Sequence, residues 1–157
     1  MVARLGPPLR PELARYLPEA HLDEAIDIYR AALVAEGVSR LKPLPGAQAL
    51  FDEAHRSGDF VAVITAKLPS TAQPCLDACE LRVDHLIGNV VGHEKAPGIR
   101  ELDLHAFVGD HPLDMEAAQA AGVPGIGVTT GNHGAQELLD AGAHVVVPSL
   151  NVLLDRE

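Results

Sequence analysis

Five short apolar runs, separated by helical patterns, constrain this chain more than any other feature of its 157 residues. They are FVAVIT (60–65), HLIGNVVG (85–92), HAFVG (105–109), PGIGVTT (124–130) and HVVVP (144–148). Each has strand length and carries β-branched residues, and none shows the in–out alternation of a sheet with one wet face. Between them lie segments of helical composition: STAQPCLDACE (70–80), PGIREL (97–102), LDMEAAQAAG (113–122) and AQELLDAGA (135–143), before a last turn, SLNVLLD (149–155). Continuous apolar strands alternating with helices predict an α/β fold with a parallel sheet covered on both faces, hence three layers.

The front of the chain reads differently. PPLRPELARYL (7–17) is a short helical segment opened by prolines, and LDEAIDIYRAALVAEG (22–37) places Leu22, Ile26, Tyr29 and Leu33 at helical spacing. LPGAQALFDEAHRSG (44–58) then predicts a helix ending on Gly58. A soft boundary near Lys42 divides a helical appendage, residues 1–42, from an α/β domain, residues 43–157.

Composition narrows the classes of function. Twelve Lys and Arg against 22 Asp and Glu leave a formal charge of −10, and no basic cluster interrupts it, which argues against nucleic acid as a partner. No apolar run approaches the ~20 residues of a membrane span, and VARLGPPLRPE after Met1 lacks the pattern of a secretory leader. A soluble, cytoplasmic protein is expected. Cys75 and Cys79, four apart in PCLDACE, suit one helix face and packing better than a disulfide or a soft-metal site.

In parallel sheets, ligands collect beyond the carboxyl ends of the strands. Thr65, the pair Gly109 and Asp110, and the pair Thr129 and Thr130 all fall there. Asp110 and Asp114, four positions apart in GDHPLD, offer hard oxygens suited to magnesium, although an Asp capping the following helix would look the same. The Thr65 hydroxyl can donate to an anionic oxygen or simply close a turn. Lys67 reads as surface charge. Lys95, before a predicted helix, can neutralise negative charge or be a solvated surface lysine. His111 beside Asp110 is either a proton-transfer group or a polar loop residue. The glycines at 122, 125, 127, 131 and 134 do not form Gly-x-Gly-x-x-Gly ahead of a helix, so turns around a buried strand explain them better than a nucleotide loop.

Taken in order, Thr after one strand, Lys in a later loop and GDxxxD after the next strand resemble three successive motifs of the haloacid dehalogenase superfamily, in particular its phosphoglycolate-phosphatase-like branch. The likeness extends to LGPPLRPEL (5–13), the helix around Tyr29 and Arg30, PLPGAQALFDEA (43–54), VAVITAK (61–67) and the stretch from VGDHPLDMEAAQAAG through HVVVPSL (108–150). It implies a haloacid-dehalogenase-type core with a partial helical cap over residues 1–42. It also implies a magnesium-dependent phosphatase of small phosphorylated metabolites working through an aspartyl phosphate. By resemblance, Thr65 and Ala66 bind the transferring phosphoryl group, Lys95 holds nucleophile and phosphate charges, Asp110 ligates magnesium, and Asp114 supports the metal or the lysine.

Two features depart from the family's pattern. The segment KAPGIRELDLHAFVGD (95–110) is compact, which implies a trimmed connecting helix. More seriously, the first motif, an apolar strand followed by Asp-x-Asp-x-Thr that supplies the nucleophile, is absent; no Asp-x-Asp occurs anywhere. The chain as it stands is therefore expected to be inactive. Either an upstream segment bearing the aspartates belongs with it, or it is a catalytically silent relative that binds phosphate, metal or a partner. In the family that first strand lies between the strands ending here at Thr65 and Asp110. Without it, either those two strands pair directly or the gap recruits another chain, with self-association through an exposed strand edge.

Overall fold

A computed structural model describes residues 9–154. The architecture is α/β with parallel strands, as the alternation of runs predicts, and the helical front comes first. Helix α1 (Leu9–Leu13) is tied by Arg10 to Glu19, in the 3₁₀ turn before α2 (Leu22–Ala32), and to Asp23 in the first turn of α2. Leu22 and Ile26 of α2 are buried as their spacing predicts; Tyr29 is instead half exposed, because the apolar stripe finds a partner only over its first turns. The chain leaves α2 through a π turn and a 3₁₀ turn that pack against α4 (Pro69–Ala78). The predicted segments at 5–13 and 7–17 begin, and that at 149–155 ends, outside the described residues.

Helix α3 (Ala47–Arg56) leads into β1 (Ala62–Ile64), then α4, β2 (His85–Ile87), α5 (Ala96–Glu101), β3 (Phe107–Gly109), α6 (Pro112–Ala121), β4 (Gly125–Val128), α7 (Ala135–Asp140) and β5 (Val145–Val147). Prolines open α4 and α6 at positions where the missing N–H is not needed. Helix α6 stops at Gly122, whose φ of 80° a side chain would resist. The run HLIGNVVG is a strand only through Ile87. Asn89, at φ 63°, turns the backbone out of the sheet, and a 3₁₀ turn at Gly92–Lys95 follows.

The strands form two parallel sheets rather than one, with orders β1-β2 and β3-β4-β5. Of the two alternatives for these strands, direct pairing of β1 with β3 is thus overturned. They remain apart because one apolar core bridges both sheets, joining Ile64 of β1, Ile99 of α5, Phe107 of β3 and Ala117 and Ala118 of α6. Between the two facing edges lies a cavity of about 650 Å³, lined by Leu50, Phe51 and Ala54 of α3, by Leu104 and Leu150, and by both strands. Val108, on the edge strand β3, is 37% exposed.

Contacts link the segments that follow the strands of the two sheets. Thr65, just past β1, accepts from the N–H of Val90, which begins the path to the turn carrying Lys95. Lys95 in turn reaches the first turn of α6, directly after the end of β3. The crossover after β2 and the helix after β3 therefore meet at one rim.

Candidate active site

At that rim the Lys95 ammonium lies 2.5 Å from Oδ1 of Asp114, and each side chain is only 12% exposed. A lysine and a carboxylate withdrawn this far from water are costly alone and tolerable as a pair. The ammonium also sits 5.8 Å from the centroid of the Phe107 ring, whose face is attractive to a cation. Asp114 stands in the first turn of α6, where the free N–H groups of a helix favour negative charge. Gly109 makes this placement possible. A Cβ there would come within 2.5 Å of Asp114 Cβ and 2.6 Å of its Oδ2, so any larger residue would push the carboxylate off the strand end.

Asp110 has a different environment. It is exposed, and its carboxylate lies over Gly131 in the loop after β4, where a side chain would collide with it. With Leu44, Val108 and Thr130 it lines a smaller cleft of about 230 Å³. Asp114 is committed to Lys95, so Asp110 remains the carboxylate most open to a hard cation. Among the described residues no cluster of three or more His, Cys, Asp or Glu forms a metal site. One carboxylate completed by water and phosphate oxygens nonetheless matches magnesium, which rarely takes an all-protein cage.

Thr65 ends β1, and its Oγ1 accepts from the N–H of Lys67 at 3.2 Å, closing a local turn. The hydroxyl hydrogen remains available to donate. Ala66, inside that turn, is exposed, and its N–H meets no partner among the described residues, so the turn presents two donors together. Lys67 is exposed, as surface charge would be.

His111 has a role the sequence reading did not assign. Its Nδ1 accepts from the N–H of Leu113 at 3.1 Å, so the cap of α6 is His111 and not an aspartate. The signal was the dipeptide His-Pro: proline at the first helical position makes the residue before it the cap. The His111 ring also meets His133 edge to face, with centroids 4.4 Å apart, joining the loops after β3 and β4. Cys75 and Cys79 are free, half-buried thiols, and the Cys75 Sγ–H donates to the Thr71 carbonyl within α4.

A family model described as HAD-hydrolase-like matches residues 97–153. The chain is similar to the phosphoglycolate phosphatase of Agrobacterium fabrum (strain C58), with 30% identity over 133 residues, covering 73% of this chain and 55% of that protein. It thus spans just over half the length of that curated relative. Among solved structures it resembles a predicted phosphatase from Clostridium acetobutylicum, at 27% identity and a TM-score of 0.78, covering 94% of this chain and 76% of that one. In fold it also resembles a haloacid-dehalogenase-like hydrolase from Streptococcus pneumoniae, with a TM-score of 0.79 at 24% identity over 96% and 76% of the two chains.

With GDxxxD after β3 and the lysine from the preceding crossover beside it, the chain belongs to the haloacid dehalogenase superfamily. Within that superfamily its sequence match falls on the phosphoglycolate-phosphatase-like branch.

Proposed function

We propose that this chain carries the phosphate- and cation-binding part of a phosphatase site for small phosphorylated metabolites of the phosphoglycolate kind. Thr65 and the Ala66 N–H bind the phosphoryl oxygens. Lys95 faces the negative charge that builds during transfer, and Asp114 holds it in place. Asp110 holds magnesium, which when bound withdraws charge from the phosphate oxygens. The observation that carries this reading is the Lys95–Asp114 pair, nearly withdrawn from solvent at the rim where the crossovers from both sheets meet. Such a pair costs more than it returns as a stability device and is better explained by a ligand that uses it. The setting proposed is the cytoplasm, where free thiols such as Cys75 and Cys79 stay reduced. No helix among the described residues is long and apolar enough to cross a membrane.

Among the described residues no strand lies between β1 and β3 to carry an attacking aspartate, so on this reading the chain as given binds phosphate without turning it over. Titration calorimetry with inorganic phosphate and magnesium tests this. The expected result is saturable, magnesium-dependent binding that Lys95→Ala and Asp110→Asn each weaken, with negligible hydrolysis of p-nitrophenyl phosphate. Hydrolysis abolished by Asp110→Ala would contradict the second half and reveal a substitute nucleophile; failure to bind phosphate would overturn the first.

A further inference from the structure

The loop between β4 and α7, residues 129–134, is pinned at both ends. The Thr129 N–H donates to the Val147 carbonyl, and the Gly134 N–H donates to Oε2 of Glu137 at 2.7 Å. Between these ties the loop leans on the segment after β3 at two points. Gly131 lies under the Asp110 carboxylate, closely enough that a Cβ there would collide with Oδ2. Two residues on, the His133 ring meets His111 edge to face, with centroids 4.4 Å apart and planes at 72°. His111 is a fixed post for this contact, because its Nδ1 accepts from the Leu113 N–H in the first turn of α6. Of residues 130–134 only His133 is half-buried; the other four are exposed. Its remaining neighbour is Glu137, whose Oε1 lies 3.7 Å from Nδ1, beyond hydrogen-bond distance and on a side chain 60% exposed. The ring contact is therefore what holds the middle of the loop down.

We propose that His133 is a positioning residue for the cation site: through His111 it latches the β4–α7 loop so that Gly131 backs the Asp110 carboxylate. This deepens the reading of Asp110 as the magnesium ligand and rests on it. Asp110 is exposed, and a lone exposed carboxylate spends its time over several rotamers. With Gly131 against it, the carboxylate has one side closed and presents its oxygens to the other. When the latch opens, Gly131 withdraws, and the cation must then bind a carboxylate that is ordered only part of the time. Apparent affinity falls by the fraction of molecules still competent, so the loss cannot exceed what the ring contact contributes. The phosphoryl-binding groups Thr65 and Lys95 lie on other segments and do not feel the latch.

Titration calorimetry on the whole chain tests this, with magnesium added to protein already saturated with inorganic phosphate. His133→Ala should weaken magnesium binding by about two- to tenfold, the range that an edge-to-face ring contact is worth. His133→Phe keeps a ring edge against His111 and should bind within about twofold of the wild type. Inorganic phosphate without magnesium should bind all three proteins alike, and their thermal unfolding should coincide. Because coupling between two events is reciprocal, amide exchange of residues 130–133 in the wild type should slow severalfold on magnesium addition. Wild-type magnesium affinity in the alanine variant, no rescue by phenylalanine, or no slowing in the wild type would each overturn the inference. Parallel losses of phosphate binding and thermal stability in His133→Ala would do so as well, by making His133 a merely structural residue. Phosphate binding by the wild type that ignores magnesium would overturn the reading of Asp110 itself, and the latch with it. The wild-type exchange measurement decides the matter even where a variant misfolds.

Discussion

Lys95 and Asp114 stand 19 positions apart in sequence and 2.5 Å apart in space, and the contact joins the crossover after β2 to the helix after β3. It is the one ion pair among the described residues in which both partners are nearly removed from water, so its loss should register in stability.

Removing either partner leaves the other charge buried and uncompensated, at a cost of about 3 to 5 kcal/mol. Lys95→Met and Asp114→Leu should each lower the unfolding free energy, read from urea denaturation, by that order. The double variant should be less damaged than the sum of the singles, because two apolar side chains leave no orphan charge. Additive losses in the unfolding cycle would mean that the pair is not a unit.

Gly109 and Gly131 lie against the carboxylates of Asp114 and Asp110, but they should respond differently to alanine. At Gly109 the new Cβ meets the stem of Asp114, which is fixed by its helix, and overpacking of this kind costs about 1 to 3 kcal/mol. At Gly131 the new Cβ meets the carboxylate of Asp110, an exposed side chain free to rotate away. Gly131→Ala should therefore unfold near the wild-type midpoint while weakening magnesium binding, measured by calorimetry. A large stability loss at Gly131 would show that Asp110 is rigidly held.

Capping of α6 by His111 gives a third expectation. His111→Ala removes the acceptor for the Leu113 N–H and should cost about 0.5 to 2 kcal/mol, with His111→Asn recovering most of it. Equal denaturation midpoints for the alanine and asparagine variants would discard the cap.

At the opposite end of β1, the Val61 N–H and then His55 hold the Asp84 carboxylate below its usual value of 3.8. A folded-state value below the unfolded one means that the unfolded chain binds the proton more readily. The contribution is thus present above the ordinary carboxylate range and lost as pH falls through the folded value. Glu137, held down chiefly by the Gly134 N–H, acts with the same sign. Asp84→Asn should flatten the acid limb of stability below about pH 4, measured by urea unfolding across pH. An unchanged acid limb in that variant would show that Asp84 is not responsible.

Much of this protein was legible in the order of its residues. The alternation from FVAVIT to HVVVP specified parallel strands joined by helices, because an apolar run of strand length between amphipathic segments has few other ways to bury itself. Strand ends in such sheets are where ligands collect, which is what singled out Thr65, Lys95 and Asp110 as candidates. Hydrogen bonds across distant segments were not readable. Sequence could not choose between Asp114 as a metal ligand and Asp114 as the partner of Lys95, since that depends on a contact closed by two crossovers. It mistook the cap of α6, and it ran the strand at His85 too far, because the left-handed turn at Asn89 is a local backbone choice that apolar neighbours conceal. Whether β1 and β3 would meet was decided by the tertiary structure alone: strand pairing depends on how a shared core sets two sheets apart, and no residue in either strand encodes that distance.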